Sequence, residues 1–145
     1  MQVFIENEAG SNKKNIFNEK TLEYKKTVTV SRKYPYPYGF ILDTMSGDGD
    51  NLDCFVITDK KLKTGEIVDV EPVGLMEQVE DGDTDNNVLA VLPDKSAEIT
   101  DEVKEKLRQF VLHVFDHLEG KKVTVGSFLD KEAALKELEA SLDRK

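Results

Sequence analysis

From Val3 to Leu92 the apolar residues come in short runs separated by turn-forming residues, and after Thr100 they recur at helical spacing. Val3-Phe4-Ile5-Glu6 reads as a first strand with Glu6 at its end. Residues 7–14 read as a polar loop, and Ile16-Phe17 as an edge strand. Val28 and Val30 alternate with threonine and serine, the period-two pattern of a half-buried strand. Pro35 and Pro37 forbid helix and keep the backbone extended, so Tyr34, Tyr36 and Tyr38 do not all share one environment. Cys54 to Thr58 reads as a strand, and Glu66 to Met76 as a long one bulged near Pro72 and Gly74. Val88 to Leu92 is another.

The remainder is helical apart from a last short strand, Lys122 to Val125. Thr100 is the predicted N-cap of a helix with Asp101 and Glu102 in its first turn. Val103, Leu107, Phe110, Val111, Val114 and Leu118 follow at helical spacing, and Gly120 is the predicted stop. Asp130 caps a final helix carrying Ala134, Leu135, Leu138 and Leu142. The 145 residues suit a single domain over 1–145 with a real core. Its predicted class is α+β and mainly β: an antiparallel barrel of about five strands with two C-terminal helices packed on it.

Charge narrows the partners. A net charge of −9 with no basic stripe excludes nucleic-acid backbone binding. A phosphate-bearing small molecule stays open, because bound cations can invert the local sign. No apolar run reaches membrane-spanning length, and no secretory leader is recognisable. Cys54 is the single cysteine, which excludes a disulfide framework and reads as a small buried residue. A cytoplasmic, soluble protein is the expectation.

The chemistry concentrates in two acidic stretches. Asp48-Gly49-Asp50-Asn51-Leu52-Asp53 holds three carboxylates with no lysine or arginine between them. Such a cluster resists full ionisation unless a cation neutralises it, and its hard oxygens suit Mg²⁺, Mn²⁺ or Ca²⁺ rather than zinc. On its own it would read as an acidic turn before a strand. A second loop carries Glu77, Glu80, Asp81, Asp83 and Asp85 at a similar point of a strand-loop-strand unit, so a closed sheet could bring the two together. A calcium hand fails, since the sixth position from Asp48 is Asp53 where glycine is needed, and from Asp83 it is Val88. His113 and His117 lie four apart on a helix without the glutamate of a zinc-protease motif, and read as surface or interface residues. Two carboxylate loops, Glu6 at a strand end, lysines and a tyrosine make up the equipment for metal-assisted phosphoryl transfer to water.

These residues resemble the family I soluble inorganic pyrophosphatases. The family's Asp-x-Asp-Pro-x-Asp pattern resembles Asp48 to Asp53, with Asn51 in place of proline. Its Tyr-Pro-x-x-Tyr-Gly resembles Tyr34 to Gly39, and its Pro-Val-Gly strand resembles Pro72-Val73-Gly74. The likeness runs from Val3 along essentially the whole chain, without the family's usual N-terminal extension, and implies a distorted OB-like barrel with flanking helices. It implies Mg²⁺, with Mn²⁺ as a substitute, held by Glu6, Asp48, Asp53, Glu80 and Asp85. It implies Asp50 as the group that orients or deprotonates the attacking water. Lys14, Lys26 and Tyr38 match the groups that bind phosphate; family members commonly assemble, and whether this chain forms a homo-oligomer stays open.

Departures gather on the leaving-group side. Lys26 stands for an arginine and so lacks the bidentate fork. Glu80 stands for an aspartate, Asn87 for a lysine and Ile16 for a glutamate, while Leu118-Glu119 replaces Tyr-Lys. Lys121 or Lys122 is the candidate compensating cation. The expected function is hydrolysis of inorganic pyrophosphate to two phosphates. Hydrolysis of an organic diphosphate comes second, and metal or phosphate binding without turnover third.

Overall fold

The structure is a computed structural model that describes residues 1–45, 49–93 and 98–143. Its strands are β1 (Gln2–Asn7), β2 (Lys13–Phe17), β3 (Tyr24–Thr29), β4 (Tyr38–Ile41), β5 (Asp53–Val56), β6 (Ile67–Asp69), β7 (Glu71–Glu80), β8 (Asp83–Thr84), β9 (Asn87–Val91) and β10 (Val123–Leu129). The helices are α1 (Asp101–His113), between β9 and β10, and α2 (Lys131–Asp143). Eight strands form one sheet in the order β10-β7-β9-β5-β4-β1-β6, with β8 on β7, and β2-β3 form a separate ribbon. The mostly-β class with two late helices holds. The sheet has more strands than five, and among the described residues its path ends at β10 and β6 rather than closing.

One pairing decides where the chemistry sits. Among the described residues β5 and β9 are parallel, with Asp53 opposite Asn87, while the other pairs are antiparallel. Parallel neighbours start at the same sheet end, so the two acidic segments leading into β5 and β9 arrive side by side. The sequence expectation of an antiparallel barrel missed this. Cys54-Phe55-Val56 and Val88-Leu89-Ala90-Val91 are buried throughout, so periodicity could not distinguish the two arrangements.

Alternate side chains on these strands feed two cores. Cys54, Val56, Val88 and Ala90 join Val3, Ile5, Ile41 and Ala134 of α2 on one face. Phe55, Leu89 and Val91 join Tyr34, Tyr36 and Leu107, Phe110 and Val111 of α1 on the other. The β2-β3 ribbon docks through Phe17, whose ring meets Phe4 edge-on at 4.9 Å. Asn15 clips it further, donating from its backbone to Asn7 Oδ1 at 2.7 Å and from Nδ2 to Glu6 O at 2.9 Å.

Several local expectations change. The long strand from Glu66 is two strands, because Val70 turns inward between β6, which pairs with β1, and β7, which pairs with β9 and β10. Its register shifts between Pro72 and Gly74, as their composition predicts. The second acidic loop is largely a hairpin: β7 runs to Glu80, and Asp81 and Gly82 turn with positive φ. Thr100 and Asp130 do cap, accepting from Val103 N at 3.2 Å and Ala133 N at 3.1 Å. Helix α1 stops at His113 rather than near Gly120. Ser31 captures its end, donating its N–H to Val114 O at 2.9 Å and accepting from His117 N at 2.9 Å. Phe115 is thereby turned toward the cleft described next, and Leu118 is left exposed.

Candidate active site

A cleft of about 270 Å³ opens at the sheet end where β5 and β9 begin. Its lining includes the carboxylates of Glu6, Glu19, Asp50, Asp53, Glu80 and Asp85, together with Lys14, Tyr34 and Tyr38. Phe55, Phe110, Val111 and Val114 supply an apolar floor from the second core. The volume is near the lower end of the roughly 300–1,000 Å³ range of small-molecule pockets.

Each side chain reaches the cleft for a local reason. In the β1-β4 ladder Ile5 faces Gly39 and Asn7 faces Tyr38, so Glu6 is the extra residue of a bulge. A bulge re-aims a side chain, and here the Glu6 carbonyl is pinned by Asn15 Nδ2 and by Thr64 Oγ1 at 3.0 Å. Tyr38 starts β4 opposite Phe55, two residues along from Asp53. Lys14 lies on β2 with its ammonium 4.9 Å from the centre of the Phe115 ring. Glu80 ends β7 and pairs with Lys121 Nζ at 2.7 Å, which also meets Asp81 at 3.2 Å and the Phe115 ring at 5.2 Å.

Of the five carboxylates expected in the second loop, Glu80 and Asp85 line the cleft. Glu77 instead accepts from Ser127 N at 3.1 Å, and Asp81 from Lys122 N at 2.9 Å. Lys26 sits on exposed β3 opposite Ile16 and is not among the lining side chains, although Ile16 is. Asp48 lies outside the described residues. The histidines do not share a site: His113 Nδ1 meets Asp116 Oδ2 at 2.9 Å, and His117 Nδ1 meets Ser31 Oγ at 2.7 Å. Glu19 was missed by sequence reasoning, as were the lining residues Gln78 and Phe115.

Electrostatics in the cleft follow from burying like charges together. Burial, then the charge of Glu19, pushes the Glu6 carboxyl up from 4.5 to about 8, against the opposing pull of Lys14. Burial raises Asp53 well above the usual carboxylate range, helped by Asp85, to which it is hydrogen-bonded. Burial and the charge of Asp53 hold the Tyr38 phenol well up, so that it stays a hydrogen-bond donor.

The donor set fits a hard divalent cation. Every candidate is an oxygen, as Mg²⁺ requires, and none is a thiolate or imidazole. Asn87 Oδ1 is also buried without a hydrogen-bond partner among the described residues, while its Nδ2 donates to Gln78 Oε1 at 2.7 Å. Such an orphaned oxygen calls for a cation or a donor. Among the described residues no three carboxylates already surround one point at ion-binding spacing, so the fit rests on donor chemistry.

A pH dependence follows for the metal-free protein. The fold keeps a proton on Glu6 that the unfolded chain gives up, so this contribution to stability is complete below pH 4.5 and lost as pH rises toward about 8. Thermal unfolding in a chelator between pH 4 and 9 should therefore show Tm falling across that window. Glu6→Gln should flatten the fall; an unchanged slope would mean that Glu6 is not the group responsible.

The site is thus six carboxylates, a lysine and two tyrosines gathered at one end of a mostly-β scaffold. The chain belongs to the inorganic pyrophosphatase family, whose model matches residues 3–145. The inorganic pyrophosphatase of Nanoarchaeum equitans is 36% identical over 143 residues, covering 92% of this chain and 89% of that protein. The crystal structure of an inorganic pyrophosphatase from Neisseria gonorrhoeae superposes with a TM-score of 0.91 at 27% identity, covering 99% of this chain and 90% of that one. The inorganic pyrophosphatase of Thermus thermophilus gives a TM-score of 0.89 at 29% identity, with coverages of 99% and 90%.

Proposed function

We propose that this chain hydrolyses inorganic pyrophosphate to two phosphates, with Mg²⁺ as its ion and Mn²⁺ as a substitute. The observation that carries the reading is the meeting of both acidic segments with Glu6, Lys14 and Tyr38 in one small cleft. In this reading Glu6, Asp53, Glu80 and Asp85, with Asp48, hold the ions. Bound Mg²⁺ supplies polarisation of the phosphoryl oxygens and of the attacking water. Asp50 takes the proton as the water oxygen forms its bond to phosphorus. The bridging P–O bond breaks, and the second phosphate leaves with the bridging oxygen. Lys14 and the un-ionised Tyr38 donate to oxygens of the attacked phosphoryl group. Lys26, paired with the lining residue Ile16, is the second cation of this reading for the phosphate.

The leaving phosphate needs a cation that neither Leu118 nor Glu119 provides. Lys121 is the best-supported candidate, since it borders the cleft through Glu80 and Phe115. A charge-assisted contact of about 1.5–3 kcal/mol makes the expected loss for Lys121→Ala roughly 10- to 100-fold in kcat/KM. Steady-state kinetics check this, and an unchanged kcat/KM would assign the leaving-group role elsewhere.

The test of the proposed reaction is phosphate release with Mg²⁺ from pyrophosphate, ATP and a nucleoside diphosphate sugar. Pyrophosphate should be turned over fastest; release from an organic substrate alone would overturn the reading. Cytoplasmic location and assembly with further copies of the chain belong to the proposal. They are supported by the free, buried Cys54 and by exposed Leu112, Leu135 and Leu142.

A further inference from the structure

Glu19 lines the cleft from the turn that joins β2 to β3, 32 residues before the acidic segment it faces. That turn is held by its own bonds. Asn18 Oδ1 accepts from Lys20 N at 2.9 Å and Thr21 N at 3.0 Å, and Leu22 N donates to Asn18 O at 2.7 Å. The Asn51 N–H donates to Glu19 Oε1 at 2.9 Å, between Asp50 and Asp53 in the chain. The facing segment is equally constrained: Asn51 Nδ2 donates to Ile41 O at 2.9 Å, and Leu52 N to Thr44 Oγ1 at 3.0 Å. Two hydrogen-bonded turns, each carrying negative charge toward the same cleft, are thus joined by a charge-assisted bond that opposes their repulsion. Proline at position 51 would have no N–H to give.

We propose that Glu19 is a positioning residue of the cleft, latching the β2-β3 turn to the acidic segment through the Asn51 N–H and so fixing Asp50 and Asp53 relative to Glu6. The latch takes its activity readout from the pyrophosphatase reading, but its ion-binding readout does not depend on turnover. Its bond spans two elements that both carry carboxylates into the cleft. Loss of either partner should therefore disturb the same geometry.

The experiment compares Glu19→Ala, Asn51→Pro, the double variant, and Asn51→Ala, which keeps the N–H. Each is assayed for kcat and KM with pyrophosphate and, without substrate, for the Mg²⁺ concentration that half-saturates the rise in Tm. Glu19→Ala and Asn51→Pro should each lower kcat about tenfold with little change in KM, the loss expected for one displaced group. Both should raise the half-saturating Mg²⁺ concentration, and the double variant should be no worse than the poorer single one. Asn51→Ala should retain about tenfold more activity than Asn51→Pro. Three results would overturn the latch: Asn51→Pro matching wild type, losses that multiply in the double variant, or lowered Tm with kcat and Mg²⁺ response intact. If wild type turns over no pyrophosphate, the functional reading fails, and the latch is still decided by the Mg²⁺ response.

Discussion

Asp50→Asn should leave a folded, metal-responsive protein that releases phosphate from pyrophosphate about 10²- to 10⁴-fold more slowly, the range lost with a positioned general base. Asp50 lines the cleft close enough for its charge to help raise the Glu6 carboxyl. It is exposed, so the isosteric amide leaves no cavity and removes one charge from an overcrowded anionic site. Tm in the absence of metal should therefore be unchanged or higher. The Mg²⁺-dependent rise in Tm should persist, because the half-buried Asp53-Asp85 pair is untouched. Turnover close to wild type would mean that the proton is taken elsewhere; loss of the Mg²⁺ response would make Asp50 an ion ligand first. Rate and thermal shift measured on one preparation separate these outcomes.

Gly39→Ala should prevent the protein from folding, or lower its stability by at least about 4–5 kcal/mol, in the exceptional range for a single substitution. A β-carbon on Gly39 would fall 1.8 Å from the carbonyl oxygen of Phe4 and 2.8 Å from its carbon. Both are backbone atoms of the neighbouring strand, so no side-chain rotation relieves the clash. β1 would have to separate from β4, and that ladder carries the Glu6 bulge and Tyr38 together. Gly82→Ala is the control. Gly82 has φ +90 with no atom near its would-be β-carbon, so its substitution costs about 1–2 kcal/mol of backbone strain. Equal urea midpoints for the two variants would show that β1 and β4 are not packed so closely.

What could be read in advance was local in origin. Thr100 and Asp130 announced their helices because a cap is a contact between residues three apart. The Asp48–Asp53 segment announced hard-ion chemistry because its charges are adjacent in sequence. What escaped was set by distant partners. The apolar spacing past Val114 suits a longer helix, and nothing nearby in sequence reveals that Ser31 ends it. The parallel pairing of β5 with β9 leaves no trace in strands buried on both faces. Glu19 lies in an ordinary polar turn, and its one legible signal was indirect: Asn51 in place of proline adds an N–H that needs an acceptor. Of the side chains read as site residues, Glu6, Lys14, Tyr38, Asp50, Asp53, Glu80 and Asp85 line the cleft, whereas Lys26 does not. Which carboxylates of the second acidic stretch turn inward depended on a hairpin that composition disguised as a loop.

The most direct test of a carboxylate cleft working through divalent ions is phosphate release from pyrophosphate by chelator-stripped protein, followed as Mg²⁺ is added back. No release without metal, and a saturable rise that excess chelator reverses, is the predicted result. Release that is independent of Mg²⁺, or none at saturating Mg²⁺ and Mn²⁺ from a folded protein, would contradict it.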